Sequence, residues 1–271
     1  MIVVHRRNKI KEKLFDQKSV KVADLVDEFH VSEETIRRDL NELAKEGLIK
    51  KNYGGAILVE ELNRVSQTVP PVQQRQFQFY EEKDAIGHMA ATFVQNEQIV
   101  TIDAGSTTWF VAKHLRSLQG LSIISNGINI VEECSKNESS SIYMLGGQLK
   151  RNSMSVFGSQ TQLELQNYNA DIVFLGTSGI SLTQGFTSSD WYEAEVKKMM
   201  VASGQKKVVL ADHSKLEKPG LLSFCPFEAV DMLITSERAD PESLKIIADR
   251  GVEVVVCPLE GPKQEMKETG R

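Results

Sequence analysis

From Glu81 onward the chain switches repeatedly between two periods. Short apolar, β-rich runs at 99–102, 121–125, 142–145, 172–175, 208–211, 232–235 and 252–256 alternate with segments of helical apolar spacing at 107–116, 128–135, 159–165, 190–203 and 241–249. Ile86, Met89, Ala90 and Phe93 mark one helix before them. A strand covered on both faces reads as a near-continuous apolar run, and parallel neighbours need a crossover, usually a helix. The pattern therefore predicts an α/β unit whose sheet is mostly parallel and covered on both faces.

In such sheets ligands gather beyond the carboxyl ends of the strands. The segments that follow five of the runs are small, polar or charged: Asp103-Ala104-Gly105-Ser106-Thr107-Thr108, Ser125-Asn126-Gly127, Gly146-Gly147 leading to Lys150, Gly176-Thr177-Ser178-Gly179, and Asp212-His213-Ser214-Lys215. The first precedes a helix, where free N–H groups and the helix dipole favour an anion. Gly105 allows close backbone approach, and Ser106, Thr107 and Thr108 carry hydroxyl donors. One such turn alone is better explained as a Ser/Thr helix cap. Five together describe a polyol-phosphate pocket, with carboxylates and an amide for hydroxyls and cations for phosphate.

The first sixty residues differ. Ile10, Leu14 and Phe15 lie at helical spacing; Ser19–Val22 breaks the pattern; Leu25, Val26 and Phe29 share a face of a second helix. After a turn at His30-Val31, Ser32 reads as an N-cap, with Glu33 and Glu34 at the positive end of a third helix that Gly47 stops. Ile36, Leu40 and Leu43 then face inward, and Arg37, Arg38 and Asn41 outward. Two short helices joined by a tight turn make a helix-turn-helix. Leu48 to Ile57, with Lys50, Lys51, Tyr53 and a Gly-Gly turn, reads as a β-hairpin wing able to hold phosphate oxygens. Arg37 and Arg38 suit guanine edges or phosphates, or else form a solvated face that Asp39 partly offsets. A protein-binding bundle shows a similar pattern.

Global charge does not announce DNA: the net charge is −5, although residues 1–56 carry 12 Lys and Arg against 10 Asp and Glu. Cys134, Cys225 and Cys257 are far apart without metal-ligand spacing, which predicts buried thiols and no metal. No cofactor motif is evident, and no apolar run approaches the ~20 residues of a membrane span. Cytoplasm is the expected compartment, with no membrane partner. Pro70-Pro71 and a Gln-rich run place a linker between the units. The expected division is a winged helix-turn-helix at 1–58, a linker at 59–79, an effector domain at 80–258 and a disordered tail at 259–271.

Ser32-Glu33-Glu34-Thr35-Ile36-Arg37-Arg38-Asp39-Leu40, with Arg6 and Ile10 before it and Tyr53-Gly54-Gly55-Ala56 after it, resembles the DeoR/GlpR family of bacterial regulators of sugar metabolism. The resemblance covers about 8–256 and implies an effector domain similar in fold to ribose-5-phosphate isomerase and glucosamine-6-phosphate deaminase. It implies DNA contacts from Ser32, Glu34, Thr35, Arg37, Arg38, Asn41, Lys50, Lys51 and Tyr53. Asp103, Gly105, Ser106 and Thr107 match the family's phosphate loop, with Thr108 beside it; Gly146-Gly147 matches its Gly-Gly turn. Asp212, Ser214 and Lys215 match its Asp-x-Ser/Thr-Lys. Asn126 stands in Ser-Asn-Gly where the family has Thr-Asn-Ser, and Ser178 where members often carry Asp. Glu193, Glu195 and Lys197 fall in its Glu-x-x-x-x-Lys region, of which Glu195 joins the effector set with Lys150. Arg75 and Lys83 match basic residues that approach the ligand phosphate, and Trp191 is expected to border the pocket.

The implied protein is a repressor of a carbohydrate-utilisation operon, a homo-oligomer (dimer or tetramer) on double-stranded operator DNA, relieved by a phosphorylated sugar. The rival is a sugar-phosphate isomerase, for which Asp103, Asp212, Glu195 and Lys215 supply residue types for acid–base chemistry. A helix-turn-helix argues against it, because an isomerase has no use for one. The basic wing argues against a protein-interaction adaptor.

Overall fold

The computed structural model describes residues 6–7, 9–10, 13–14, 17, 19–45, 49–52, 54–58, 70–216 and 218–259. Two compact units divide the chain, Met1–Thr68 and Val69–Arg271.

In the first unit, residues 6, 7, 9, 10, 13, 14 and 17 are helical. Strand β1 (Ser19–Lys21), helices α1 (Val22–Phe29) and α2 (Glu33–Lys45), and strands β2 (Ile49–Asn52) and β3 (Gly55–Leu58) follow. The expected break after the first helix is thus a strand. It pairs with β3 in an antiparallel sheet of order β1-β3-β2, with Val20 buried between exposed Ser19 and Lys21. Three residues are too few to give a readable alternation. Gly55 is required there, since a Cβ would lie 1.9 Å from the Val20 carbonyl oxygen. β2 and β3 form the wing. His30 ends α1 at φ +52°, where its N–H donates to the Val26 carbonyl at 2.9 Å. Ile10, Leu14, Leu25, Phe29, Ile36, Leu40 and Leu43 form one core. The expected helix stop at Gly47 and the wing residue Tyr53 lie outside the described residues.

The second unit opens with α3 (Val72–Phe77) and α4 (Tyr80–Ala91). Residues 72–77, within the expected linker, are helical. Pro70 and Pro71 suit a helix entrance, where a missing N–H costs nothing. Val72 is buried and its N–H donates to the Asn152 carbonyl at 2.7 Å. Residues 59–69, and 260–271 of the predicted tail, lie outside the described residues.

Seven parallel strands follow in the sheet order β15-β14-β12-β9-β4-β5-β6. They are β4 (Ile99–Ile102), β5 (Ser122–Ser125), β6 (Ser141–Met144), β9 (Ala170–Gly176), β12 (Gly204–Leu210), β14 (Met232–Ser236) and β15 (Glu253–Cys257). The helices between them are α5 (Thr108–His114), α6 (Ile128–Cys134), α7 (Ser159–Leu165), α8 (Trp191–Ser203) and α9 (Pro241–Ala248). Side chains of one strand alternate between two cores: Ile172 and Phe174 of β9 join Ile86, Val111 and Leu210, while Val173 and Leu175 join Phe186, Met200 and Leu233. Two small additions were not legible as periodic runs: the hairpin β7 (Gln148–Lys150) with β8 (Ser155–Phe157), and a sheet of β10 (Gly179–Ser181), β11 (Gly185–Ser188) and β13 (Leu222–Cys225).

Candidate functional site

β12, β9 and β4 are neighbours, so the segments after them converge at one edge of the sheet. Asp103 continues the ladder past β4, its N–H donating to the Phe174 carbonyl at 2.9 Å. Its buried carboxylate accepts the Gly176 N–H at 3.1 Å and the Lys197 ammonium, which also donates to the Gly176 carbonyl at 2.8 Å. Burial pushes the Asp103 carboxyl above its usual range against the opposing pull of Lys197.

The turn after Asp103 is held from outside. The Asn126 amide accepts the Ala104 N–H at 2.9 Å and donates to the Val156 carbonyl at 3.3 Å; Asn129 donates to the Gly105 carbonyl at 3.3 Å. Asn126 is therefore engaged at both ends in fixing the loop. Ser106, Thr107 and Thr108 are buried, and the Thr108 hydroxyl makes no hydrogen bond. A Cβ on Gly105 would fall 2.8 Å from that hydroxyl oxygen.

Two further groups of charges join the Asp103–Lys197 pair. Lys150 donates to Asp190 at 2.6 Å and lies 3.5 Å from Glu193. Burial works against charge on Glu193, yet Lys150, Lys197 and the Ser153 hydroxyl hold its carboxyl below the usual range. Burial lowers the Arg75 guanidinium, opposed by the charges of Glu193 and Asp103. On the other side, Lys83 and Lys215 each stand 4.0 Å from Asp212 Oδ2, an oxygen that is buried and accepts no hydrogen bond from the described residues. Asp212 Oδ1 accepts the Ser214 N–H at 3.1 Å and the Ser214 hydroxyl. The Lys83 ammonium donates to the Arg75 carbonyl. Burial pushes Lys83 down to about 8, with Asp212 opposing and Lys215 and Arg75 adding to the fall.

Three expected contacts sit differently. The Gly146 N–H donates to Glu164 at 2.7 Å and its carbonyl accepts the Thr161 hydroxyl at 2.6 Å, so the Gly146-Gly147 turn directs its polar backbone to α7. Glu195 pairs with Lys198 at 2.9 Å. It lies two residues from Glu193, about 200° round the helix, whereas Lys197 shares the Glu193 face. Ser178 donates its N–H to the Thr187 carbonyl at 2.9 Å and pairs with the Ser189 hydroxyl at 3.2 Å. Trp191 opens α8 with its ring edge-on to Tyr192 at 5.3 Å. The residues that sequence reasoning passed over are Glu82 and Asp190. Asp190 had a legible signal as the N-cap of α8, where it accepts the Glu193 N–H.

In the first unit Ser32 caps α2, accepting the Thr35 N–H at 3.3 Å. Arg37 and Arg38 are exposed, with Arg37 paired to Glu33 of the preceding turn at 2.5 Å. Glu34 is exposed and Thr35 half-buried beside them. Lys51 of the wing donates to Asn41. Asp39 corrects the expectation of a solvated counter-charge: it is buried and accepts from Arg6 at 2.5 Å and Arg7 at 2.8 Å.

Family models match both units, the DeoR-like helix-turn-helix domain over residues 6–62 and the DeoR C terminal sensor domain over 78–237. The chain belongs to the DeoR family of transcriptional regulators. The transcriptional regulator IolR of Bacillus subtilis strain 168 is 32% identical over 237 residues, 88% of this chain and 92% of that one. The glycerol-3-phosphate regulon repressor of Escherichia coli strain K12 is 29% identical over 252 residues, 93% of this chain and 98% of that one. Among solved structures, ribose 5-phosphate isomerase from Plasmodium falciparum aligns at a TM-score of 0.36 and 20% identity, over 51% of this chain and 55% of that one. DeoR proteins are DNA-binding regulators rather than enzymes. Among the described residues no helix is long and apolar enough to cross a membrane.

Proposed function

We infer that this DeoR-family chain is a cytoplasmic repressor of a carbohydrate-utilisation operon, released from its operator by a phosphorylated sugar or polyol bound at the β4, β9 and β12 loops. The observation that carries the effector class is the meeting of Lys83 and Lys215 at Asp212. Two ammonium groups flank a buried carboxylate oxygen that accepts no hydrogen bond from the described residues, each 4.0 Å away. A phosphate beside the lysines and a ligand hydroxyl donating to Asp212 satisfy all three groups. Ser106, Thr107 and Thr108 add hydroxyl donors, and the Glu193–Lys150–Asp190 group faces the sugar hydroxyls. The relative from Escherichia coli, named for glycerol 3-phosphate, agrees with this class.

On the DNA side, Arg37 and Arg38 of α2 read base edges in the major groove. Lys50 and Lys51 of the wing hold phosphates. A homo-oligomer, dimer or tetramer, presents two such helices to paired half-sites.

The test is thermal unfolding of the purified chain against phosphorylated sugars and polyols with their unphosphorylated parents. A ligand at 100 times its Kd adds about 2.7 kcal/mol of stability, a shift of about 2–4 °C for each kcal/mol at this size. A shift with one phosphorylated compound and not its parent supports the reading. A shift with only unphosphorylated compounds overturns it.

A further inference from the structure

Beside the Lys83–Asp212–Lys215 group lies a second buried node. Glu82, in the first turn of α4, is fully buried. Its Oε2 accepts the Ser236 hydroxyl at 2.6 Å and the His213 N–H at 3.3 Å; its Oε1 accepts from Arg238 at 3.2 Å. Nδ1 of the His213 ring lies 2.9 Å from both oxygens, and the Phe79 ring meets the same imidazole edge-on at 4.8 Å. Phe79 holds φ +54°, a strained value for an aromatic residue, at the entrance of α4.

Consecutive residues of α4 therefore face consecutive residues of the loop after β12: Glu82 holds His213, and Lys83 faces Asp212. Within the loop the ties are local, and its far end is bridged to β10 between Ile180 and Leu216. Ser214 donates to Asp212 Oδ1, Lys215 to the Asp212 carbonyl at 3.1 Å and Leu216 to the His213 carbonyl at 3.3 Å. None of these bonds reaches α4; the hydrogen bonds of the loop to α4 are those His213 makes with Glu82, beside the 4.0 Å approach of Lys83 to Asp212. Four donors converge on Glu82, which keeps its carboxyl below the usual range despite burial.

We propose that Glu82 is a positioning residue of the effector site, holding His213 so that Asp212 and Lys215 stand opposite Lys83 at the separation that admits a phosphate. This rests on the effector reading above. Gln in place of Glu82 keeps the shape but turns an NH2 group toward donors, leaving at least one of His213 N–H, Ser236 hydroxyl and Arg238 without an acceptor.

The experiment uses the full chain, with inorganic phosphate as probe. Amide hydrogen exchange of the ligand-free protein is read at 213–216 and across β12, and phosphate affinity by calorimetry, for wild type, Glu82→Gln, Ser236→Ala and Lys215→Ala. Glu82→Gln is expected to speed exchange at 213–216 alone and to weaken phosphate about tenfold, as loss of a hydrogen bond to a charged group does. Ser236→Ala, which deletes one donor and keeps the carboxylate, is expected to do the same to a smaller extent, and it carries the test if Glu82→Gln does not fold. Unchanged phosphate affinity in both variants, with affinity lost in Lys215→Ala, overturns the proposal and leaves the effector reading standing. Faster exchange throughout β12 marks a general loosening and also overturns it. Absence of saturable phosphate binding in wild type overturns both.

Discussion

Asp39 and Arg37 lie two positions apart on α2 and do opposite work. Asp39 is buried against Arg6 and Arg7, while Arg37 is exposed. Removing one partner of a buried pair costs about 3–5 kcal/mol because the other charge stays behind. Asp39→Ala is therefore expected to lower the melting transition of the first unit by circular dichroism. Arg37→Ala and Arg38→Ala are expected to leave stability within about 0.5 kcal/mol and to weaken specific operator binding by about 1–3 kcal/mol per lost base contact in gel-shift titrations. Lys83 gives a pH test. In the proposed site a ligand anion needs the charged ammonium, which burial pushes down to about 8 from its ordinary 10.5. With the phosphate a dianion above about pH 6, effector affinity is expected to fall between pH 7 and pH 9 as Lys83 loses its proton; unchanged affinity at pH 9 would remove Lys83 from the anion site. Asp103, Asp212 and Lys215 are legible in the sequence by their places after strands and Lys83 by the family resemblance, and the structure brings Lys83 and Lys215 to Asp212. Other pairings are not legible. Lys197 meets Asp103 across 94 positions, and Glu82 meets Ser236 across 154, separations that no local pattern encodes.

Elements reveal a different boundary of legibility. The seven parallel strands announce themselves by continuous apolar runs, and the N-cap of α2 by Ser32. β1, β7, β10 and α3 are short, and their form is dictated by what they pack on: β1 by β3, and α3 by Asn152 and a buried Val72. Helix α4 is positioned by close packing at Gly87, where a Cβ would fall 2.4 Å from Phe110 Cβ of α5. Gly87→Ala is expected to destabilise the second unit by about 1–3 kcal/mol, even though alanine favours the helix by about 1 kcal/mol. Chemical denaturation decides it, and a gain in stability would show that the two helices part freely. On the wing, Lys50→Ala is expected to weaken binding to all DNA sequences alike and to reduce the slope of log affinity against log salt by about one.

For the whole molecule the effector and the operator are linked ligands. If the effector lowers operator affinity by a given factor, operator must lower effector affinity by the same factor. Calorimetric titration of the effector into free and operator-bound protein is expected to return that common factor, and unequal factors would show that a third component takes part. The sheet order has a consequence for how the protein is made. β9 lies between β4 and β12, so Asp103 gains Gly176 and Lys197 as partners long after its own strand is synthesised, and Asp212 comes later still. Contacts between residues so distant in sequence form slowly. On the ribosome the segment that carries α2 emerges before any of the loops proposed to meet the ligand. A nascent chain therefore acquires its DNA-reading segment well before it can sense metabolites.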